Sequence, residues 1–394
     1  MNAGLLRLTW RYLCFHRVRS VILLVCLALA FLLPVYLHLL IRAYESSLTQ
    51  RAEDTPLVLG PRGNEFELVL RSLYFLSQKS GDSRLNLADQ QAVEAQERGL
   101  AIPLHLEYTA QEAPVIGTSL DYFEHRRLCP AQGTFPLVLG DAVLGHDVAA
   151  RLQLGAGDYV LTDQTSLYNI AAEQPLKLRI TGVLAPARNP DDRAIFVDVK
   201  TAWVIGGIGH GHEDLESPEN QGRLLGRDDD GTPVGSAAVA PYREITEANL
   251  SSFHFHGDPK DLPLTSLLVV PDSAKSATIL KGHYGTSETR QLVVPLEVVG
   301  DLLAIVFKVK RFFDASFGLV MIMTVLFLIL VMTLTWKLRQ RERETLTRIG
   351  CARLTLVGLQ VSELCLLLVG ALALALLLAY LLLSVTQSVF LLQP

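Results

Sequence analysis

The chain has 394 residues, half of them apolar, with 35 Lys/Arg against 40 Asp/Glu and a net charge of −5, which is enough for membrane spans plus one sizeable soluble domain. No basic surface is interleaved with aromatics in the polar part, which excludes a nucleic-acid partner. Of the five cysteines, Cys14, Cys26, Cys351 and Cys365 fall in or beside apolar runs or a basic loop, so Cys129 stands alone in the polar middle and no internal disulfide can form there.

Charge is placed unevenly. Residues 1–20 carry Arg7, Arg11, Arg17 and Arg19 and no acid, residues 337–353 carry a net +4, and residues 43–313 carry −12. Short basic segments beside apolar spans stay on the cytoplasmic face, so the acidic middle is expected outside and both basic segments inside. Residues 1–16 suit either a helix lying in the inner headgroup layer or a simple basic flank. Residues 21–41 are an uncharged run of the length needed to cross the hydrocarbon core. The run is too long for a signal-peptide apolar region and lacks a small-residue cleavage site, so it reads as an anchor, kinked at Pro34. Beyond Arg42 the helical pattern continues for about three turns through Tyr44, Leu48 and Arg51 until Thr55-Pro56 stops it.

The polar middle reads as a mixed domain. A strand and turn are expected over 57–63, a helix or strand over 66–76 and a helix over 86–98. Short strands follow at 101–108, 114–118, 136–139, 159–161, 176–184 and 194–199, with returning strands at 265–270 and 291–294. A helix is predicted over 141–152, closed by Gly155-Ala156-Gly157-Asp158. Residues 206–261 change character: Gly-rich and polar, with Asp228-Asp229-Asp230, they read as an inserted mobile subdomain or long loop. This insertion holds His210-Gly-His212 and His254-Phe-His256. Alternate residues of an extended strand point the same way, so each pair presents two imidazoles together, and imidazole suits Zn²⁺. Solvated or hydrogen-bonded histidines of a polar loop are the other reading, and both stand at this point.

Pro295 opens a long helix with an apolar stripe of Leu302, Ile305, Val309 and Phe312 and a charged face of Glu297, Asp301, Lys308 and Arg311. It leads into a second span, about 317–336, with Trp336 at the interface. A third apolar run covers 354–392. It carries Glu363 near its inner end, where a carboxylate must face protein or the inner interface. Gly370 and the alanines at 371, 373, 375 and 379 favour close helix approach, read here as contacts with a second copy.

Between the second and third runs lies a short basic segment, 337–353, amphipathic at helical spacing, with Leu338, Leu346, Ile349 and Leu356 on one flank. Arg341-Glu342, Leu346, Ile349-Gly350, Arg353 and then Glu363 on entering the third run resemble the Arg-Glu…Leu…Leu-Gly-Ala…Glu signature of FtsX/MacB-type ABC transporter permeases, the mechanotransmission or type VII family. Arg343 and Glu344 stand where that family usually has an apolar residue and Gly. In the middle, Val138-Leu139-Gly140-Asp141 with Leu154-Gly155, Gly157-Asp158 and Ile180-Thr181-Gly182-Val183-Leu184 is similar to the family's extracytoplasmic core.

The family usually has a fourth span, but the apolar runs here number three, so the expectation is an α+β membrane protein with three transmembrane helices and, as the resemblance implies, a large mixed α/β extracytoplasmic domain on two helical stalks. The amphipathic N-terminus and first span would occupy 1–42, the outer domain 43–313 with its insertion at about 206–261, and the C-terminal membrane domain 314–394. The resemblance also implies that 337–353 is a coupling helix contacting a separate ABC ATPase that binds the ATP. A second permease copy, identical or not, membrane lipids and a periplasmic, outer-membrane or lipoprotein partner complete the expected assembly. The site would be the bacterial inner membrane, with the N-terminus cytoplasmic and the main domain and C-terminus periplasmic. No Gly-x-Gly-x-x-Gly or Gly-x4-Gly-Lys-Ser/Thr motif occurs in the sequence, so the chain is expected to be a non-catalytic subunit. No nucleophile, base and orienting acid form a recognisable set either, which disfavours a membrane-bound enzyme. The alternative function is a membrane-anchored zinc-binding component, or a metal-linked ABC system.

Overall fold

In the computed structural model the chain divides into two units, Met1–Ser46 with Leu303–Gln393, and Ser47–Leu302. The structure describes residues 3–76, 84–164, 175–212, 224–227, 233–235, 242–255 and 257–392. Much of the expected insertion, including Asp228-Asp229-Asp230 and His256, lies outside the described residues.

The second unit is built on a ten-stranded mixed sheet. Its strands run in the order Arg290–Val293, Leu57–Pro61, Ser266–Pro271, Gly99–Ala110, Ala113–Thr118, Ile195–Asp198, Asp141–Leu144, Lys177–Leu184 and Pro130–Gly133, with Tyr159–Leu161 also paired to Lys177–Leu184. Ala113–Thr118 with Ile195–Asp198, and Asp141–Leu144 with Lys177–Leu184, are parallel; the other pairs are antiparallel. Helices cover the sheet where the sequence supplies caps. Asn64 accepts from the Phe66 and Glu67 amides to start Glu65–Tyr74, and Asn86 and Asp89 form a reciprocal capping box on Leu87–Glu94. Asp198 accepts from the Lys200 amide to start Val199–Ile205. Tyr122, Phe123 and Phe196 are fully buried with ring centroids 5.4–6.1 Å apart. Burial of each such ring contributes roughly 1.5–3 kcal/mol.

Most strands fall where the alternation places them, and the 66–76 ambiguity resolves to a helix. The expected helix over 141–152 is wrong in its first half. Asp141–Leu144 is a buried strand between Lys177–Leu184 and Ile195–Asp198, and only His146–Leu152 is helical. A continuous apolar stretch buried on both faces has no period to distinguish it from helix. The strand expected at 136–139 is also absent; the neighbouring strand is Pro130–Gly133, a sheet edge, where Pro can sit. The helices Val199–Ile205 and Ala274–Gly285 were not foreseen.

Among the described residues, three helices are long and apolar enough to cross a membrane, Arg17–Glu53, Pro295–Leu338 and Leu354–Thr386, and the first unit holds most of their length. Two shorter helices, Ala3–Phe15 and Gln340–Arg348, accompany them. The first and second long helices each run on into the other unit, to Glu53 and from Pro295. Leu23, Leu27, Ala28, Leu328, Leu367 and Ala371 form the packed interior of this unit. The small-residue stripe reads differently here. Ala371, Ala375 and Ala379, one helical turn apart, are all buried within the chain, and Gly370 approaches Leu24. Gly370 and Ala371 serve packing against the chain's own first long helix, whereas Ala373 is exposed. Leu319, Ile322, Leu326, Ile329 and Leu330 of the second long helix are exposed.

Candidate functional site

The basic segment folds as its own helix, Gln340–Arg348, between two long helices. Gly350 ends it. With φ at +94°, its amide bonds to the Thr347 carbonyl at 3.1 Å, and the Cys351 amide bonds to the Leu346 carbonyl at 3.0 Å. This is a Schellman stop, for which the left-handed position requires glycine. Arg341 is exposed on the helix, and Arg353 begins the third long helix; the side chains of Glu342 and Arg353 are not among those described. The apolar flank expected from spacing splits in two. Leu346 (40% exposed) and Leu356 line a cleft of about 590 Å³ with Leu8, Tyr12, Trp336, Arg339, Arg343 and Glu363, whereas Ile349 (78%) and Leu338 (78%) project outward.

Glu363 is 2% exposed and is the electrostatic centre of this region. Its Oε1 meets Arg19 of the first long helix at 2.5 Å and its Oε2 meets Arg339, just past the end of the second, at 3.5 Å. Arg339 stacks on Tyr12 and Arg343 on Trp336, with ring distances of 4.0 and 3.9 Å. Thr9 and Ser362 are hydrogen-bonded at 2.6 Å, so the Ala3–Phe15 helix is packed on the third long helix through a polar contact. The one carboxylate of the third span thus ties that span to the basic residues of the other two. Helical spacing gives no sign of Arg19 and Arg339 as its partners, because both lie outside its helix, with Arg19 344 positions away in the chain.

A second polar centre, unforeseen in the sequence, lies in the Ser47–Leu302 unit. Arg51 donates from Nη1 and Nη2 to the two oxygens of Asp191, each at 2.8 Å, and from Nε to the Leu73 carbonyl. The Tyr122 hydroxyl donates to Asp191 Oδ1 at 2.6 Å, and all three side chains are buried. Burial would raise the Asp191 carboxyl, but the Arg51 guanidinium and the Tyr122 hydrogen bond override it and hold the group below the usual carboxylate range. Burial and the Asp191 charge push the Tyr122 phenol up, so it remains a donor. The last turn of the Arg17–Glu53 helix is thereby bonded into the core of this unit.

The histidines do come together. His210 and His254 are directly paired across a two-stranded antiparallel ribbon, Gly209–Gly211 with Phe253–Phe255, and His212 follows two residues after His210 on the same face. One ring nitrogen from each of His210, His212 and His254 lies within 4.8 Å of the others. The other face of the ribbon explains the sequence pattern. Gly209 opposes Phe255 and Gly211 opposes Phe253, and a Cβ on either glycine would stand 2.5–2.7 Å from the facing ring. Glycine there lets the two rings lie across the strand and pack into the core, Phe255 against Trp203 at 6.1 Å.

No protein-family model matches the sequence, and no curated protein matches it. Among solved structures, the chain is similar to the extracellular domain of the noncanonical ABC-type transporter YknZ from Gram-positive bacteria, at 12% identity and a TM-score of 0.32 over 60% of this chain and 98% of that one. It is similar also to the periplasmic region of MacB from Actinobacillus actinomycetemcomitans, at 11% identity and a TM-score of 0.34 over 65% and 97%. A third likeness is to a domain of a proposed permease protein from Porphyromonas gingivalis, at 7% identity and a TM-score of 0.28 over 60% and 86%. The first two of these neighbours are extracytoplasmic domains, that of YknZ belonging to an ABC-type transporter.

Proposed function

We propose that the chain is the permease-like membrane subunit of an ABC-type system, in which a separate ATPase docks on the Gln340–Arg348 helix and drives motion of the outer unit. The observation that carries this reading is the construction of that helix. It is short, basic and stopped at Gly350, it exposes Ile349, and it adjoins a buried Glu363 paired to Arg19 and Arg339. Force applied there reaches all three long helices through one charge cluster. Two of those helices continue without a break into the Ser47–Leu302 unit. The Arg51–Asp191 bond gives the first of them a firm hold on that unit's core.

In this reading the chain hydrolyses no nucleotide itself, and the work is done on an extracytoplasmic partner, a lipoprotein or a lipid-borne substrate. Residues 337–353 face the cytoplasm of a bacterial inner membrane and the acidic unit faces the periplasm, as the charge asymmetry requires. A second permease copy completes the assembly.

The test is copurification of the full chain from native membranes with its ATPase, followed by ATP hydrolysis in lipid nanodiscs. Ile349→Asp is expected to abolish stimulation of the ATPase while leaving insertion and folding intact. Leu346→Asp is expected to do the same with some loss of packing in the cleft. Full stimulation in the Ile349 variant, or labelling that puts residues 337–353 on the same face as the outer unit, refutes the proposal.

A further inference from the structure

The histidine ribbon is not accounted for by force transmission. Four observations bear on it. The three imidazoles share one face of a paired strand, His210 opposite His254 and His212 two residues along. Their nearest ring nitrogens fall within 4.8 Å of one another, and all three side chains are half-buried, reachable from solvent yet partly shielded. The ribbon that holds them is rigidly seated. Its opposite face is packed through Phe253 and Phe255, and the preceding helix is fixed by the Trp203 Nε1 hydrogen bond to the Pro263 carbonyl at 2.8 Å. Finally, His254 Nδ1 lies 3.0 Å from the Ser252 carbonyl. A carbonyl can only accept, so Nδ1 carries a proton here, and a metal would be held through Nε2 with the Nδ1–H bond orienting the ring.

We propose that His210, His212 and His254 form a binding site for a divalent transition metal of the Zn²⁺ class, held by one nitrogen from each of the three imidazoles. Nitrogen ligands at about 2.0–2.1 Å in a tetrahedron stand about 3.4 Å apart, so the rings close on the ion by side-chain rotation without moving the ribbon. An all-imidazole set selects Zn²⁺, Co²⁺, Ni²⁺ or Cu²⁺ and rejects the hard, oxygen-seeking Ca²⁺ and Mg²⁺. The ion would also cross-link His212 to His254 across 41 intervening residues. The site stands independently of the permease reading, and either can fail without the other.

The experiment uses the full chain in detergent micelles, stripped with a chelator and then titrated with Zn²⁺ against a chromophoric competitor, and separately with Co²⁺. The expected result is one Zn²⁺ per chain, displaced by neither Ca²⁺ nor Mg²⁺, with the Co²⁺ form showing the intense visible absorption of a tetrahedral nitrogen-rich site. Single changes His210→Ala, His212→Ala and His254→Ala are each expected to weaken binding by at least the 10–100-fold that loss of even an outer-shell partner costs, and the triple variant to lose it. His146→Ala and His283→Ala, outside the cluster, are expected to bind as the parent does. A second measurement needs no variant: Zn²⁺ is expected to protect His210, His212 and His254, but not His146 or His283, from carbethoxylation read by mass spectrometry. Absence of saturable binding up to about 100 µM Zn²⁺, binding that survives in the triple variant, or equal modification of the cluster with and without Zn²⁺ overturns the proposal.

Discussion

The buried pair of Arg51 and Asp191 lends itself to a quantitative test. Arg51→Met removes two charge-assisted bonds to Asp191 at 2.8 Å and the bond to the Leu73 carbonyl, and leaves a carboxylate buried with only Tyr122 at 2.6 Å to satisfy it. Breaking a buried pair from one side costs about 3–5 kcal/mol. At roughly 2–4 °C per kcal/mol for a unit of this size, the outer unit should melt about 6–20 °C lower. Asp191→Leu should cost a similar amount, since it strands the guanidinium. The double variant strands neither charge and should fall well short of the sum, with a coupling of roughly 2–3 kcal/mol in the double-mutant cycle. The assay is thermal unfolding of the full chain in micelles, followed by near-ultraviolet circular dichroism of the aromatic cluster around Tyr122. Additivity of the two single changes to within about 0.5 kcal/mol would refute the idea that these groups act as one unit.

Two further outcomes are expected. Burial, aided by the Arg84 and Arg71 charges, lowers the His105 imidazole to about 3. The native state therefore keeps it neutral while the unfolded chain protonates near pH 6.5, and stability falls by up to about 1.4 kcal/mol per pH unit below that value. His125, lowered by burial and by Arg126, acts in the same sense. The depressed Asp191 contributes fully above about pH 4 and is lost only as pH drops through its folded value. Unfolding titrations of His105→Leu should therefore show a shallower slope between pH 6.5 and 4, and an unchanged slope would contradict the assignment. In the membrane unit, Glu363→Ala leaves Arg19 and Arg339 facing each other without their shared carboxylate. Because both arginines are partly solvated, the expected loss is about 1–3 kcal/mol, read as a lower melting temperature in micelles. Arg19→Ala in the Glu363→Ala background should add little.

The long apolar helices, the run-on of the first to Glu53 and the opening of another at Pro295 were all legible in one dimension. Each depends on local pattern: an uncharged run, a Thr-Pro stop, a proline start. The mixed α/β unit was legible for the same reason, and the His210-x-His212 pair announced a shared face because strand side chains alternate. The strand Asp141–Leu144 was misread because a stretch buried on both faces carries no alternation, and its identity is decided by its neighbours in the sheet.

What the sequence by itself determined, then, is which segments are long and apolar enough to cross a membrane and which are polar, since transfer of apolar and charged groups depends on composition. Only the tertiary structure decided the pairings: Glu363 with Arg19, Arg51 with Asp191, His210 opposite His254, and Ala371, Ala375 and Ala379 packed within the chain. The physical reason is that electrostatic, hydrogen-bonding and ligation energies fall off over a few ångströms. Folding sets those distances between residues tens to hundreds of positions apart, and no spacing along the chain records them.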